Sequence, residues 1–173
     1  METWVGQVRT TAVQPLDAVP LSGLRAVVRQ LREQWTDEEG NPAWVLMQGR
    51  TKDGGVLLAS SIVPLRPSLA PHLDTHVAVA VPFTDRTEQG LPGPGSLQAL
   101  RDLEDHLSQR LGGSGRLVAH ETRAGTRVLH CYVDGTTPAA EQLKAAVGGW
   151  GQGRVRIEAA GDPGWDRVRH LRP

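Results

Sequence analysis

The sequence predicts an α+β fold, because strand patterns and helix patterns alternate along the chain. Valines alternate with His76, Ala78 and Ala80 at 75–81, which is typical of a half-buried strand. Leucines spaced three and four apart indicate an amphipathic helix at 96–111. Glycine-containing turns between β-prone segments indicate hairpins at 44–63 and 116–133. The length of 173 residues suits one domain or two small fused halves.

Residues 1–63 are predicted to form a βαββ half. A weak apolar pattern suggests a short strand within 4–13, and six apolar residues on one stripe indicate a helix at 21–35. The strands 44–49 and 56–63 then enclose an Asp-Gly turn, whose two residues tolerate left-handed backbone angles. This half ends where three prolines stiffen a connection at 64–74.

Residues 75–160 are predicted to form strand, helix, strand, strand, helix and strand. Ser96 is a suitable N-cap for the first helix, and Thr137 followed by proline predicts the start of the second. The last strand is expected at 154–158, with Val155 and Ile157 facing inward. This order is the ferredoxin-like split βαβ (βαββαβ) arrangement, with the helices on one face of the sheet.

Two further features complete the predicted organisation. The turn at 51–54 resembles the turn at 122–125, and each leads into a strand, so the βαββ half is interpreted as a partial duplicate of the second unit. Residues 161–173 are interpreted as a C-terminal strap that docks Trp165 on the core. The alternative is a helix that binds a partner.

The composition argues against several classes of function. Positive and negative side chains number nineteen each, so charge gives no support for binding nucleic acid or an anionic membrane. The predicted central strands offer only Tyr132 and histidines, and the chain has a single Phe and a single Tyr, so the sheet presents few rings on which RNA bases could stack. No apolar run approaches the roughly 20 residues that span a bilayer. With no signal peptide pattern and only one cysteine, a reducing cytoplasm is the expected location.

The only candidate metal ligands that the strand pattern brings together are three histidines. His76, His120 and His130 lie on three predicted strands, and strict alternation would place them on one open sheet face. Three imidazoles can bind zinc or a similar ion with one position left open, or can line a small-ligand site. Exposed strand histidines without a ligand are more common, so no metal or cofactor is assigned.

Cys131 is not predicted to be a nucleophile. It alternates with Leu129 and Val133, which predicts a buried and inert thiol. The neighbouring His130 points to the opposite face of the strand and cannot activate it. No catalytic residue is therefore assigned.

Four motifs occur in order along residues 44–173: a Trp-Val-Leu-Met-Gln-Gly strand at 44–49, Gly-Leu-Pro at 90–92, Thr-x-x-Gly-x-Arg at 122–127, and Asp-Pro-x-Trp at 162–165. With these motifs, this part of the chain resembles a bacterial family of unknown function, DUF695. The resemblance implies a compact α+β fold and no particular activity. The end of the chain is also similar to that of the ribonuclease-activity regulator B proteins, which inhibit a ribonuclease, and this similarity implies a protein partner.

We therefore expect a non-enzymatic protein-interaction or regulatory module that uses an open sheet face or an edge strand. The candidate partner-binding residues are Tyr132, Arg154, Arg156 and Trp165. An edge strand could also pair with a second copy of the chain and form a homodimer. The alternative is a small-ligand or metal-binding activity on the histidine face.

Overall fold

The computed structural model describes residue 36 and residues 41–172. The chain divides into two compact units, Met1–Ala43 and Trp44–Pro173, and the second contains almost all of the described residues. The predicted strand within 4–13 and the predicted helix at 21–35 lie outside the described part of the chain.

The described chain is a mixed α+β structure, as the sequence predicts. Its strands are β1 Ala43–Arg50, β2 Val56–Val63, β3 Thr75–Pro82, β4 Gly115–Arg123, β5 Thr126–Val133 and β6 Arg156–Gly161. Its helices are α1 Pro94–Leu111 and α2 Ala139–Ala146, with 3-10 helices at Pro67–Leu69, Gly112–Ser114 and Asp166–Leu171. None of the helices within residues 41–172 is long and apolar enough to cross a membrane.

The six strands form one sheet in the order β1-β2-β4-β5-β3-β6. The pairs β2–β4, β4–β5, β5–β3 and β3–β6 are all antiparallel. The hairpin β1–β2 therefore extends the same sheet that the later strands form. Strand β6 lies at one end of this order and β1 at the other.

The starts of both helices and of β6 differ from the predicted ones; α2 begins at Ala139, with Pro138 rather than Thr137 as its N-cap. Helix α1 begins at Pro94, and Ser96 is a buried residue of its first turn rather than its N-cap. Asp85, from the loop before the helix, accepts the N–H of Gly95 at 2.9 Å and supplies the missing cap from outside. Strand β6 begins at Arg156, two residues later than predicted.

Each face of the sheet carries its own core. On the first, which we call the helix face, valines of β3 and Leu129 pack against leucines of α1 and α2. On the second, which we call the strap face, Tyr132 packs with Trp165, Val168 and Leu171 of the C-terminal strap. The strap face was expected to be open, and this part of it is covered because the strap buries three large apolar side chains there.

The hairpin β4–β5 closes through a two-residue turn. Ala124 and Gly125 both have positive φ angles, 47° and 78°, which is the type I′ geometry favoured in two-residue hairpins. Further along the hairpin, Leu117 lies opposite Cys131, whereas Ala119 lies opposite His130. The residue between them, Val118, is therefore an extra residue in β4, a β-bulge.

Candidate functional site

The bulge divides the three candidate histidines between the two faces of the sheet. His76 and His130 both lie on the strap face, as the pairing of β3 with β5 shows. Beyond Val118 the alternation of β4 is reversed, so that His120 lies opposite Leu129 and points to the helix face. The prediction that all three share a face is wrong for His120.

The two histidines that do meet are not open to solvent. His76 and His130 are both buried, and the Nε2 of His76 lies 3.0 Å from the Nδ1 of His130. Within residues 41–172, no group of three or more His, Cys, Asp or Glu residues is arranged to hold a metal ion. A small-ligand or metal site formed by His76, His120 and His130 would need all three side chains on one exposed face of the sheet. The three histidines do not share a face, and the two that do are buried.

His76 and His130 belong to a chain of polar side chains beneath the strap. The Nε2 of His130 lies 3.1 Å from Glu121 Oε1, and the Nε2 of His170, in the strap, lies 2.9 Å from the same oxygen. The hydrogen bond from His130 is the largest influence on this carboxyl, and together with that from His170 it outweighs burial and lowers the pKa of Glu121 to about 2. Glu121 thus holds a strap residue and a sheet residue together.

His76 is the buried end of this chain. The Glu121 carboxylate only accepts, so His130 donates to it through Nε2; in the tautomer with no proton on Nδ1, that nitrogen accepts from the Nε2–H of His76. Burial, followed by the nearby His130, lowers the pKa of His76 to about 4. His76 is therefore neutral at pH 7 and acts as a hydrogen-bond donor.

Tyr132 and Trp165 anchor the strap to the sheet. Their rings stack with centroids 4.4 Å apart, and the indole N–H of Trp165 donates to the carbonyl of Leu73 at 2.8 Å. The Tyr132 hydroxyl donates to Asp162 Oδ2 at 2.6 Å, and Asp162 also accepts backbone N–H groups at the start of the last 3-10 helix. Both rings are fully buried, so Tyr132 and Trp165 cannot contact a partner while the strap is docked.

The helix face carries a second polar cluster, centred on Glu104 of α1. Arg127 Nη1 donates to Glu104 Oε1 at 2.8 Å, and Arg127 Nε donates to Thr122 Oγ1 at 2.9 Å. The Nδ1 of His120 lies 3.5 Å from the same Glu104 oxygen without an aligned hydrogen bond. Sequence reasoning missed this cluster, since no local pattern relates a helix carboxylate to an arginine 23 residues away.

Cys131 is buried on the helix face, and its burial, followed by the charge of Glu104, raises its pKa to about 12. We expect the thiol of the folded protein to resist labelling by a maleimide reagent at pH 7, because the reactive thiolate is both scarce and inaccessible. Labelling should be complete in denaturant, which serves as the internal control because the chain has one cysteine. Rapid labelling of the folded protein would contradict this assignment.

The remaining candidates, Arg154 and Arg156, are exposed at the β6 end of the sheet. They line an open groove of about 680 Å³ together with Ala80, Pro82, Thr126, Val155, Ile157 and Glu158. As predicted, Val155 and Ile157 are partly buried against the helix-face core, while Arg156 and Glu158 point outward. We call this region the β6 edge. It is the one place where predicted partner-binding residues of the described chain are accessible.

The backbone of the β6 edge also has free hydrogen-bonding groups. The N–H of Asp162 donates to the carbonyl of Asp74 at 2.7 Å, which marks a directly hydrogen-bonded pair between the two chain segments. Because such pairs alternate along an antiparallel ladder, the N–H and C=O groups of Ile157 and Ala159 point away from β3. Within residues 41–172, no backbone hydrogen bond reaches this outer side.

The protein is therefore an α+β protein in which most buried polar side chains are paired with one another. Its β6 edge carries unpaired backbone N–H and C=O groups together with exposed arginines. The model of a family of unknown function, DUF695, matches residues 63–170, which is more than half of the chain. The protein belongs to this family, and the resemblance predicted from its motifs is confirmed. No curated protein and no solved structure matches the chain.

Proposed function

We propose that the protein is a non-enzymatic interaction module that pairs its β6 edge with an extended segment of a partner protein. The observation that carries this proposal is the coincidence of unpaired backbone groups at Ile157 and Ala159 with exposed Arg154 and Arg156. Main-chain hydrogen bonds to an exposed strand supply affinity in this mode of recognition, and the alternating side chains supply specificity.

The two faces beside β6 indicate the chemistry of the partner segment. On the strap face, Arg154 and Arg156 are exposed beside the small residue Ala80, which favours carboxylates. On the helix face, Val155 and Ile157 are only partly buried, which favours apolar side chains. A strand added beside Arg154 and Arg156 would therefore alternate acidic and apolar residues, whereas the position opposite Glu158 favours a basic or uncharged residue.

We propose a non-enzymatic role because the side chains that could act in catalysis are buried or paired with other residues of the fold. Cys131 is a buried thiol with a raised pKa, and His76 is a buried, neutral donor within the strap-face chain. Glu104 is paired with Arg127 on the other face. Each of these groups supports packing between elements of the fold.

The proposal also includes a finer assignment of the fold. Within residues 75–161, the order β4-β5-β3-β6 supports a ferredoxin-like βαββαβ unit, in which the first and third strands are central. Gly54, with φ 84°, lies in the turn of the β1–β2 hairpin as Gly125 does in β4–β5, which supports a partial duplication. We expect the protein to act in the cytoplasm and to regulate its partner. The resemblance of its C-terminal end to the ribonuclease-activity regulator B proteins supports a protein as that partner.

A labelled peptide of alternating glutamate and valine tests the proposal by fluorescence anisotropy at low salt. Ala159→Pro is expected to abolish binding, because it removes an outward N–H at an exposed edge position where proline is tolerated. The charge reversal R154E/R156E should weaken binding by about tenfold or more. The matched control is Arg101→Glu on the exposed side of α1, which should have no effect. Equal binding by wild type and Ala159→Pro would overturn the proposal.

A further inference from the structure

We infer that the β6 edge is self-complementary and that its partner is a second copy of this chain, joined strand to strand about a two-fold axis at Ile157. The inference rests on the proposed function, because it uses the same edge. The sequence of β6 begins Arg-Ile-Glu, so that opposite charges flank a central apolar residue.

The direction of the backbone groups permits this axis. Since the N–H and C=O of Ile157 point outward, two copies of Ile157 can exchange both hydrogen bonds across an antiparallel pair. The N–H and C=O of Ala159 also point outward and would lie opposite Val155 of the second copy, the residue that directly precedes β6. The two sheets would join into one continuous antiparallel sheet.

The charges favour this register over its neighbours. With the axis at Ile157, Arg156 lies opposite Glu158 of the second copy, and Glu158 lies opposite Arg156. These are non-hydrogen-bonded pairs, in which opposing side chains approach most closely. Moving the axis to Arg156 would place two arginines opposite each other, and moving it to Glu158 would place two glutamates opposite each other.

The side chains on the helix face agree with the same register. Ile157 would meet Ile157 of the second copy, and Val155 would meet Ala159. Val155 and Ile157 are only partly buried in the isolated chain. The pairing of two strands would cover their remaining apolar surface. This burial would stabilise the dimer in addition to the backbone hydrogen bonds and the pairs of opposite charges. Arg156, Glu158 and Ala159 are all exposed and hence accessible to a second copy.

Charge reversal on the full chain tests this inference by sedimentation velocity over a range of protein concentrations. The wild-type protein should dimerise, whereas R156E and E158R should each raise the dimer dissociation constant by about tenfold or more, because each creates two like-charged pairs. An equimolar mixture of R156E and E158R should restore the dimer, since their two strands are complementary to each other. The double variant R156E/E158R should dimerise like wild type, and Arg101→Glu is the matched control.

Three results would each overturn the inference: a wild-type protein that stays monomeric at all concentrations, single reversals that leave the dimer intact, and a mixture that does not associate while wild type does. Circular dichroism checks that every variant is folded, and the exposed positions of Arg156 and Glu158 favour this. A monomer that still binds the glutamate-valine peptide would overturn the inference and leave the proposed function standing. Because the dimer and the peptide would use the same edge, the peptide is tested at protein concentrations well below the dimer dissociation constant; a charge-dependent dimer whose monomer fails to bind the peptide would instead overturn the proposed acidic partner.

Discussion

Replacement of Trp165 by alanine is expected to lower the free energy of unfolding by about 3–5 kcal/mol, the range for truncation of a large buried aromatic side chain. The Trp165 side chain is fully buried, stacks on Tyr132 and donates its indole N–H to Leu73. Its loss would leave a cavity between the strap and the sheet and an unsatisfied carbonyl. Urea denaturation followed by circular dichroism measures the change.

The matched control for this prediction is Trp44→Ala. Trp44 is 45% exposed on β1, and we expect its truncation to change stability by no more than about 1 kcal/mol. A loss of similar size in the two variants would mean that burial beneath the strap is not what makes Trp165 important. A much smaller loss at Trp165 would mean that the strap contributes little to the stability of the fold.

Acidification from pH 6.5 to about pH 4 is expected to destabilise the protein through His76. The pKa of His76 is lowered from 6.5 to about 4 in the folded state, because burial and then His130 oppose its positive charge. In this window the unfolded chain binds a proton at His76 and the folded chain does not, so stability falls as the pH falls. The full effect of this one group is about 3 kcal/mol.

The same measurement at a series of pH values tests the role of His76. His76→Asn should flatten the dependence between pH 6.5 and 4, whereas His72→Asn, at an exposed histidine, should leave it unchanged. Below pH 4.5 a second loss is expected from Glu121, whose pKa is lowered to about 2 and whose stabilising charge is lost as it is protonated. An unchanged pH dependence in His76→Asn would contradict the assignment of the first window.

Local sequence patterns were sufficient to predict most of the strands and helices in the described part of the chain. Alternation located β3, and the Ala124-Gly125 turn located the β4–β5 hairpin, because both depend on backbone preferences of adjacent residues. The burial of Cys131 followed from the same alternation. Boundaries were less accurate where a distant group acts, as at α1, whose amides are capped by Asp85 from the preceding loop.

The sequence by itself determined the α+β class, the family, the burial of Cys131 and the exposure of Arg154 and Arg156, since each follows from composition, motifs or short-range alternation. Only the tertiary structure decided which groups meet. One bulged residue at Val118 moved His120 to the helix face, and docking of the strap placed Trp165 on Tyr132 and His170 on Glu121, the partner of the buried His130. The physical reason is that a bulge and a long-range packing contact both depend on partners far apart in the chain, which periodicity within one segment does not record.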